Sequence, residues 1–184
     1  GKLVMTLDVS ASSTTPKQGE LVELRADVRD ERGCVLLGAK VWATAGEESV
    51  ILHFTSTPSP GFIGLLDTSS LLGDVNVRVY AYFEGLGTLC AVIPINVTGR
   101  FIVDVSLDDA TPTKGDMIRA YVRVEDYGHR PVEDATVTIT VGTSTITAEH
   151  VSDGLYVADI DTSELSGSTS ATVRVERAGF ETKE

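Results

Sequence analysis

Apolar and polar residues alternate along several short stretches of this chain. In residues 21–28, every second residue from Val22 onward is apolar, and the residues between them are charged. A period of two predicts a β-strand with one buried and one solvent-facing side, because successive side chains of a strand point to opposite faces. No stretch has apolar residues at helical spacing over the length of a core helix. The sequence therefore predicts an all-β protein. The predicted inward rows are Val22, Leu24, Ala26, Val28; Ala39, Val41, Ala43, Ala45; Val77, Val79, Ala81, Phe83; Ile118, Ala120, Val122, Val124; and Ala135, Val137, Ile139, Val141.

Two motifs occur twice. Residues 15–20, Thr-Pro-Lys-Gln-Gly-Glu, return 96 residues later as residues 111–116, Thr-Pro-Thr-Lys-Gly-Asp, and the strand pattern after them returns as well. The triplet at 67–69, Asp-Thr-Ser, returns 94 residues later at 161–163, and it is typical of a turn closed by its own side chains. The chain is therefore predicted to contain two copies of one module the size of a small domain.

Each copy has about seven short strands separated by turn signals, which is typical of a β-sandwich. We predict two tandem Ig-like antiparallel sandwiches, at residues 1–99 and 100–184, with an opening strand over residues 3–10. The junction at residues 98–100 is too short for a free linker, so we expect limited hinge motion and a semi-rigid arrangement.

The second copy lacks a match for the last strand of the first copy. After Gly179 only residues 180–184 remain, whereas the first copy continues through residues 89–97. A sandwich without one edge strand exposes unpaired backbone groups. We therefore expect the second domain to be less stable than the first, or to borrow a strand from a neighbour, and we expect a possible dimer through its exposed edge.

The chain is acidic. It has 184 residues, 15 Lys and Arg, 27 Asp and Glu, and a formal net charge of −12. Without a basic stripe, such a chain repels phosphate backbones, which excludes nucleic acid and anionic membranes as default partners. Its apolar runs are much shorter than the ~20 residues of a membrane helix, so we expect no membrane insertion within this segment.

Cys34 and Cys90 are the only cysteines. In an Ig-like strand order both fall at the same end of the first sandwich, so a disulfide is geometrically possible and would contribute roughly 4 kcal/mol by loop closure. We expect this disulfide, with two free buried thiols as the alternative.

No catalytic or metal-binding motif stands out. The histidines are scattered, and although several acids cluster near residue 108, no calcium-loop pattern is present, so turn acids in solvent are the favoured interpretation. We expect no catalytic residues, no metal, no cofactor and no enzymatic activity. The residues considered are His53, His129, His150, Asp104, Asp108, Asp109 and Asp116.

An aromatic group is the main surface feature. Trp42, Tyr80 and Tyr82 lie on the side opposite the inward rows of the third and sixth strands, which are neighbours in an Ig-like sheet. Exposed aromatic residues often mark interaction sites. A glycan or a protein could bind them; cross-strand packing or cover by a neighbouring domain is the alternative. The second copy has Thr138, Arg174 and Glu176 at these places.

Asn96 begins an Asn-Val-Thr sequence, which is a glycosylation acceptor if the parent protein is secreted by a cell that glycosylates. It lies on the outward side of the last strand of the first copy.

The motifs T-P-x-x-G-[ED], D-x-x-G, G-A-x-V and D-T-S-x-L-x-G together resemble those of bacterial and archaeal Ig-like surface modules, including macroglobulin-like and invasin-like repeats. The second copy departs from them at Asp134, where the first has Gly38, and no thioester motif is present. The resemblance implies an extracellular or cell-surface location, with other domains of the parent chain, a surface protein or a glycan as partners. We expect a non-catalytic spacer or interaction arm. The alternatives are a binding module that uses the aromatic group and an accessory region of a secreted hydrolase.

Overall fold

A computed structural model describes residues 4–184, and within these residues all regular structure is β-strand. Leu3, the first residue of the predicted opening strand, lies outside the described part. The strands are β1 (Met5–Ala11), β2 (Leu21–Asp30), β3 (Lys40–Ala45), β4 (Glu48–Thr55), β5 (Gly61–Asp67), β6 (Gly73–Phe83), β7 (Gly87–Val97), β8 (Phe101–Leu107), β9 (Met117–Asp126), β10 (Thr136–Val141), β11 (Ser144–Thr147), β12 (Glu149–Ser152), β13 (Leu155–Asp161) and β14 (Ala171–Glu176).

The chain divides into two compact units, Gly1–Thr98 and Gly99–Glu184. In the first unit the strand order is β1-β2-β5-β4-β3-β6-β7, and all neighbours are antiparallel. Strand β4 changes partner along its length: its first part pairs with β3 and its last three residues pair with β5. The sheet therefore folds into the two layers of an Ig-like sandwich: the last part of β4 belongs with β1-β2-β5, and its first part belongs with β3-β6-β7.

The second unit has the same plan in two separate sheets. Their orders are β12-β13-β9-β8 and β11-β10-β14. Strands β11 and β12 take the place of the single strand β4, and between them lies the buried Ala148, whose N–H donates to the carbonyl oxygen of Val137 at 2.8 Å. The predicted fold class, two Ig-like antiparallel sandwiches, is confirmed.

Each unit has its own hydrophobic core. In β2, the inward row that begins at Val22 and ends at Val28 is at most 1% exposed. The matching row of β9, from Ile118 to Val124, is also buried. The prediction from alternation is confirmed, because the period of two places all four residues of each row on the face that meets the opposite sheet.

The repeated turn motifs have specific backbone roles. Gly19 and Gly115 have φ angles of 92° and 97°, a conformation in which a side chain would be strained. The predicted Asp-Thr-Ser turn is also confirmed: the N–H and hydroxyl of Ser69 both donate to one oxygen of Asp67, at 2.9 and 2.6 Å. The second copy repeats these bonds at 2.8 and 2.6 Å.

Candidate interaction surface on the first unit

The structure brings two of the predicted aromatic residues into direct contact. Trp42 of β3 lies opposite Tyr80 of β6, and Tyr82 lies opposite Lys40 in the same pair of strands. The two rings of Trp42 and Tyr80 stack with centroids 5.4 Å apart and planes 13° apart. Their strand neighbours are buried, so this stacked pair lies on the outer face of the β3-β6-β7 sheet.

The stacked pair belongs to a row that crosses four strands. Ile51 of β4 lies opposite Trp42, and Cys90 of β7 lies opposite Tyr80. Ile51 is 65% exposed, and Tyr82 and Val92 of the same face are 38% and 46% exposed. We name this surface the outer-face patch; it comprises Ile51, Trp42, Tyr80, Tyr82 and Val92.

Sequence reasoning missed two members of the patch. Ile51 lies in a continuous apolar run, in which alternation gives no signal, and Val92 lies in the edge strand β7. The hairpin register between β3 and β4 is the signal that places Ile51 outward, because it aligns Ile51 with the outward Trp42.

Two cations flank the outer-face patch. Lys40 lies opposite Tyr82, and Arg78 lies opposite Thr44 and Val92 on the same face. The patch therefore has an apolar centre with positive charge at its sides, although the chain as a whole is acidic. Such a surface complements an apolar partner with an acidic rim.

The stacked pair is an example of cross-strand packing. Each ring covers one face of the other, and Ile51 and Cys90 are the cross-strand neighbours of Trp42 and Tyr80 on the two outer sides. Packing across β3 and β6 therefore holds the pair.

The predicted disulfide is wrong for this structure, because Cys34 and Cys90 are both free and exposed. Cys34 lies in the loop after β2, where its N–H donates to Asp30 Oδ1 at 2.9 Å. Cys90 is an outward residue of β7 and pairs with Tyr80. The alternation of β7 thus points the Cys90 side chain out from the sheet. The alternative of buried thiols is not found either.

Asn96 is exposed on the outer side of β7. Its Nδ2 donates to Asp74 Oδ1 at 2.8 Å, and its backbone N–H donates to the carbonyl oxygen of Thr14 at 2.8 Å. The side chain is accessible, and glycosylation there stays a prediction.

The acids near residue 108 take part in backbone hydrogen bonds. Asp108 accepts the N–H of Arg119 at 2.8 Å, and Asp109 accepts the N–H of Thr111 at 2.9 Å. Asp116 accepts the N–H of Thr113 at 3.0 Å. These bonds occupy the carboxylates with turn and strand-end N–H groups, which fits the turn-acid interpretation.

The histidines are also placed apart from one another. His150 packs against the ring of Tyr156 with centroids 5.1 Å apart, and His129 Nδ1 is 3.5 Å from Glu125 Oε2. Within residues 4–184, no three His, Cys, Asp or Glu side chains are grouped in a way that could hold a metal ion. The same residues include no helix with the length and apolarity needed to cross a bilayer.

The strand orders and separate cores define the class: the chain comprises two Ig-like β-sandwiches, the first with an apolar and aromatic outer face. No protein-family model matches the chain, and no curated protein matches it in sequence. Among solved structures, it is similar to the Escherichia coli adhesin FdeC, with 19% identity and a TM-score of 0.49 over 92% of this chain and 59% of that one.

Two further similarities are of the same kind. The Yersinia pseudotuberculosis adhesin InvE has 15% identity and a TM-score of 0.49, over 96% of this chain and 56% of that one. A DUF4785 family protein of Legionella pneumophila has 12% identity and a TM-score of 0.39, over 97% and 55%. The chain thus spans less than two thirds of the length of each of these three structures. Because one fold carries many functions, similarities of this size do not indicate what this chain binds.

Proposed function

We propose that this chain is a non-catalytic Ig-like module of a secreted or cell-surface multidomain protein, in which it serves as a structural and interaction arm. The observation that carries the proposal is the kind of residue that the two copies share. Residues shared at the 96- and 94-residue shifts are turn and core residues, such as Gly19 with Gly115 and Val22 with Ile118. They maintain the sandwich, and this is what an arm built of repeated modules requires.

The motif resemblance to bacterial and archaeal Ig-like surface modules supports the same proposal and supplies the extracellular location. The two free, exposed cysteines do not support the extracellular location, because only a disulfide between them would indicate an oxidising compartment.

The location is tested by labelling intact cells that express the parent protein. Antibodies raised against residues 4–184 are expected to stain these cells without permeabilisation, and protease added outside is expected to remove the signal. Staining that appears only after permeabilisation would contradict the proposal; an antibody to a cytosolic protein serves as the control for cell integrity.

A second function is favoured by the outer-face patch: binding of a protein partner with an acidic rim. Ile51, Tyr82 and Val92 are exposed beside the stacked Trp-Tyr pair, and packing within the sheet does not require them to be apolar. The second copy has polar residues at the aromatic positions. Beads coated with the chain are expected to adhere to cells or matrix that display the partner.

Tyr82→Ser and Ile51→Ser should reduce this adhesion, because both remove exposed apolar area without unstacking Trp42 and Tyr80. The matched control is Met117→Ser, which removes an equally exposed apolar side chain (61%) from β9 of the second unit. Equal adhesion by all three variants would exclude the patch. Stronger binding on a glycan array than to any protein surface would show that the ligand is a glycan instead.

A further inference from the structure

Strand β7 is at the edge of the β3-β6-β7 sheet, and a second neighbour pairs only with its end. Asn96 donates its N–H to the carbonyl oxygen of Thr14 at 2.8 Å. Thr98 donates to the carbonyl oxygen of Pro16 at 3.0 Å and accepts the N–H of Gln18 at 2.8 Å. These bonds lie on the side of β7 that faces away from β6, and they cover this side only from residue 96 onward.

The same side of β7 is unpaired over the first half of the strand. The register between β6 and β7 has no shift along the whole strand, so the N–H and C=O groups of every second residue share one side. Thr88, Cys90 and Val92 have the parity of the residues that bond to the 14–18 segment. Within residues 4–184, these three make no backbone hydrogen bond to a segment other than β6. We name this open stretch, residues 88–92, the β7 edge.

Pro94 supports the assignment of the open side. It has the same parity as Cys90 and Val92, and a proline has no N–H to donate. Proline is tolerated in a strand where the N–H would point away from the paired neighbour, and this is the side to which the β7 edge belongs. Pro94 also separates the open residues of β7 from those that bond to the 14–18 segment.

The β7 edge lacks the features that normally keep sheet edges apart. Charged side chains, proline and short strands prevent edge-to-edge pairing in most β-proteins. Three other edge strands follow this rule, because β1 has Asp8, β8 has Asp104 and β12 has Glu149. Residues 87–93 of β7, Gly-Thr-Leu-Cys-Ala-Val-Ile, include neither a charge nor a proline. Two copies of a chain with a net charge of −12 can therefore meet at this edge without like charges in the contact.

Apolar side chains are exposed on both faces of the β7 edge. Val92 is exposed on the outer face of the sheet. Leu89 has the inward parity of the buried Ile93 and Ile95 and lies opposite the buried Ala81, yet it is 37% exposed. A strand added to the β7 edge would bury part of both Val92 and Leu89, and this burial favours pairing.

We propose that the β7 edges of two copies of this chain pair in antiparallel fashion about a twofold axis at Cys90. In this register Cys90 lies opposite Cys90 of the partner subunit, and Thr88 lies opposite Val92 of the partner subunit. Each open N–H then donates to a carbonyl oxygen of the other copy, as in an ordinary antiparallel ladder. The two three-stranded layers join into one continuous sheet, which is an isologous interface.

The outer face of the sheet is compatible with this register. The row of Trp42, Tyr80 and Cys90 continues across the axis into the same row of the second copy. In the neighbouring row, Arg78 lies opposite Val92, and the other copy contributes its uncharged Thr88 and Tyr82. No like charge therefore faces Arg78 across the contact. The dimer places the two outer-face patches side by side, which goes beyond the proposed function of a single patch.

Sedimentation equilibrium of the full chain, residues 1–184, tests the proposal. We expect a reversible equilibrium between monomer and dimer. Cys90→Pro removes the N–H at the axis from both copies, at the parity where Pro94 is native, and is expected to weaken dimerisation at least about tenfold. Cys90→Ser is the matched control, because it keeps this N–H. Its dimer dissociation constant should stay within about twofold of wild type.

Thiol cross-linking tests the register. Cys34→Ser leaves Cys90 as the only cysteine, and a short bismaleimide is expected to join two copies into a product of twice the mass in denaturing electrophoresis. Adding Thr88→Pro keeps the thiol but removes another N–H of the β7 edge, so the yield should fall. Cys90→Ser, which leaves only Cys34, should give no linked product.

Several outcomes would overturn the proposal. They are a monomer at every concentration from micromolar to millimolar, equal dimerisation of Cys90→Pro and Cys90→Ser, and equal cross-linking through Cys34 and Cys90. Far-UV circular dichroism checks that Cys90→Pro is folded; if it is not, Thr88→Pro replaces it in sedimentation, with Thr88→Ser as its control and the same expected loss. Neither Thr88 nor Cys90 belongs to the outer-face patch, so failure here and failure of the adhesion test with Ile51→Ser and Tyr82→Ser are distinguishable.

Discussion

The hydroxyl of Thr68 donates a hydrogen bond of 2.6 Å to the carbonyl oxygen of Glu20, 48 residues earlier in the chain. The second unit repeats the bond at 2.7 Å, between Thr162 and the carbonyl oxygen of Asp116. The threonine side chains are completely or almost completely buried. The two motifs that identify the repeat, the Thr-Pro turn and the Asp-Thr-Ser turn, are therefore the two sides of a single contact.

Removal of this hydroxyl is expected to destabilise the first unit. Thr68→Val keeps the shape of the side chain and leaves the carbonyl oxygens of Glu20 and Lys17 without this donor, at an expected cost of about 1–2 kcal/mol. Urea unfolding followed by Trp42 fluorescence measures it, since Trp42 is the only tryptophan. Thr6→Val, which changes an exposed hydroxyl 3.5 Å from its acceptor, is the control. Equal losses of unfolding free energy for both variants would show that the buried Thr68 hydroxyl stabilises the unit no more than an exposed hydroxyl does.

Tyr156→Phe is expected to destabilise the second unit by about 1–3 kcal/mol. The buried Tyr156 hydroxyl donates to the carbonyl oxygen of Val132 at 2.8 Å and accepts the N–H of Ala135 at 3.0 Å, so the variant leaves both groups without this partner. Circular dichroism during urea unfolding reports the change. The control Tyr82→Phe removes a hydroxyl from an exposed residue of the first unit. A cost within error of that control would contradict the prediction.

The two units are expected to unfold in separate transitions, with the second unit first. Val105 and Leu107 remain exposed in the second unit, whereas the equivalent row of the first unit is covered by β7, so the second unit buries less apolar surface. Far-UV circular dichroism should therefore begin to change at a lower urea concentration than the fluorescence of Trp42, which reports the first unit alone. Coincident transitions would show that the units are equally stable or coupled.

Acid should weaken both Asp-Thr-Ser turns. The hydroxyl and N–H of Ser69 donate to the carboxylate of Asp67 and hold its pKa below the usual value, and Ser163 lowers the pKa of Asp161 in the same way. A lowered folded-state pKa contributes stability that is present above the unfolded pKa, about 4, and is lost as the pH falls through the folded pKa.

The test compares wild type with the double variant Asp67→Asn, Asp161→Asn, which cannot lose a charge at these sites. The unfolding free energy of the variant is expected to decrease less between about pH 5 and pH 2. The same slope in both proteins would contradict the role of these carboxylates.

Both thiols should react in the native protein. Cys34 and Cys90 are exposed and free, so iodoacetamide is expected to add to both without denaturant, as counted by mass spectrometry of the intact chain. Cys34→Ser and Cys90→Ser should each lower the count by one. Adducts that appear only after reduction of the purified chain would show that Cys34 and Cys90 form a disulfide, and they would contradict this prediction.

The strands, their inward rows and the repeat could be predicted from the sequence because they are local. Alternation along β2 and β9 requires only that one side of each strand is buried. Glycine is favoured at position 115 because the local φ angle of 97° would strain a side chain. The neighbouring position of Trp42 and Tyr80 also followed, since an Ig-like strand order pairs the third strand with the sixth.

The tertiary structure was needed to show which side chains are exposed, because exposure depends on strand register and on which strands cover each face. The outward position of Ile51 follows from its pairing with Trp42, and the exposure of Cys90 follows from its outward position in β7. Leu107 is 39% exposed, whereas its counterpart Ala11 is half-buried in β1, which packs beside β7. A chain encodes its own alternation residue by residue, but which face is covered, and by what, is set by strands that are far apart in sequence.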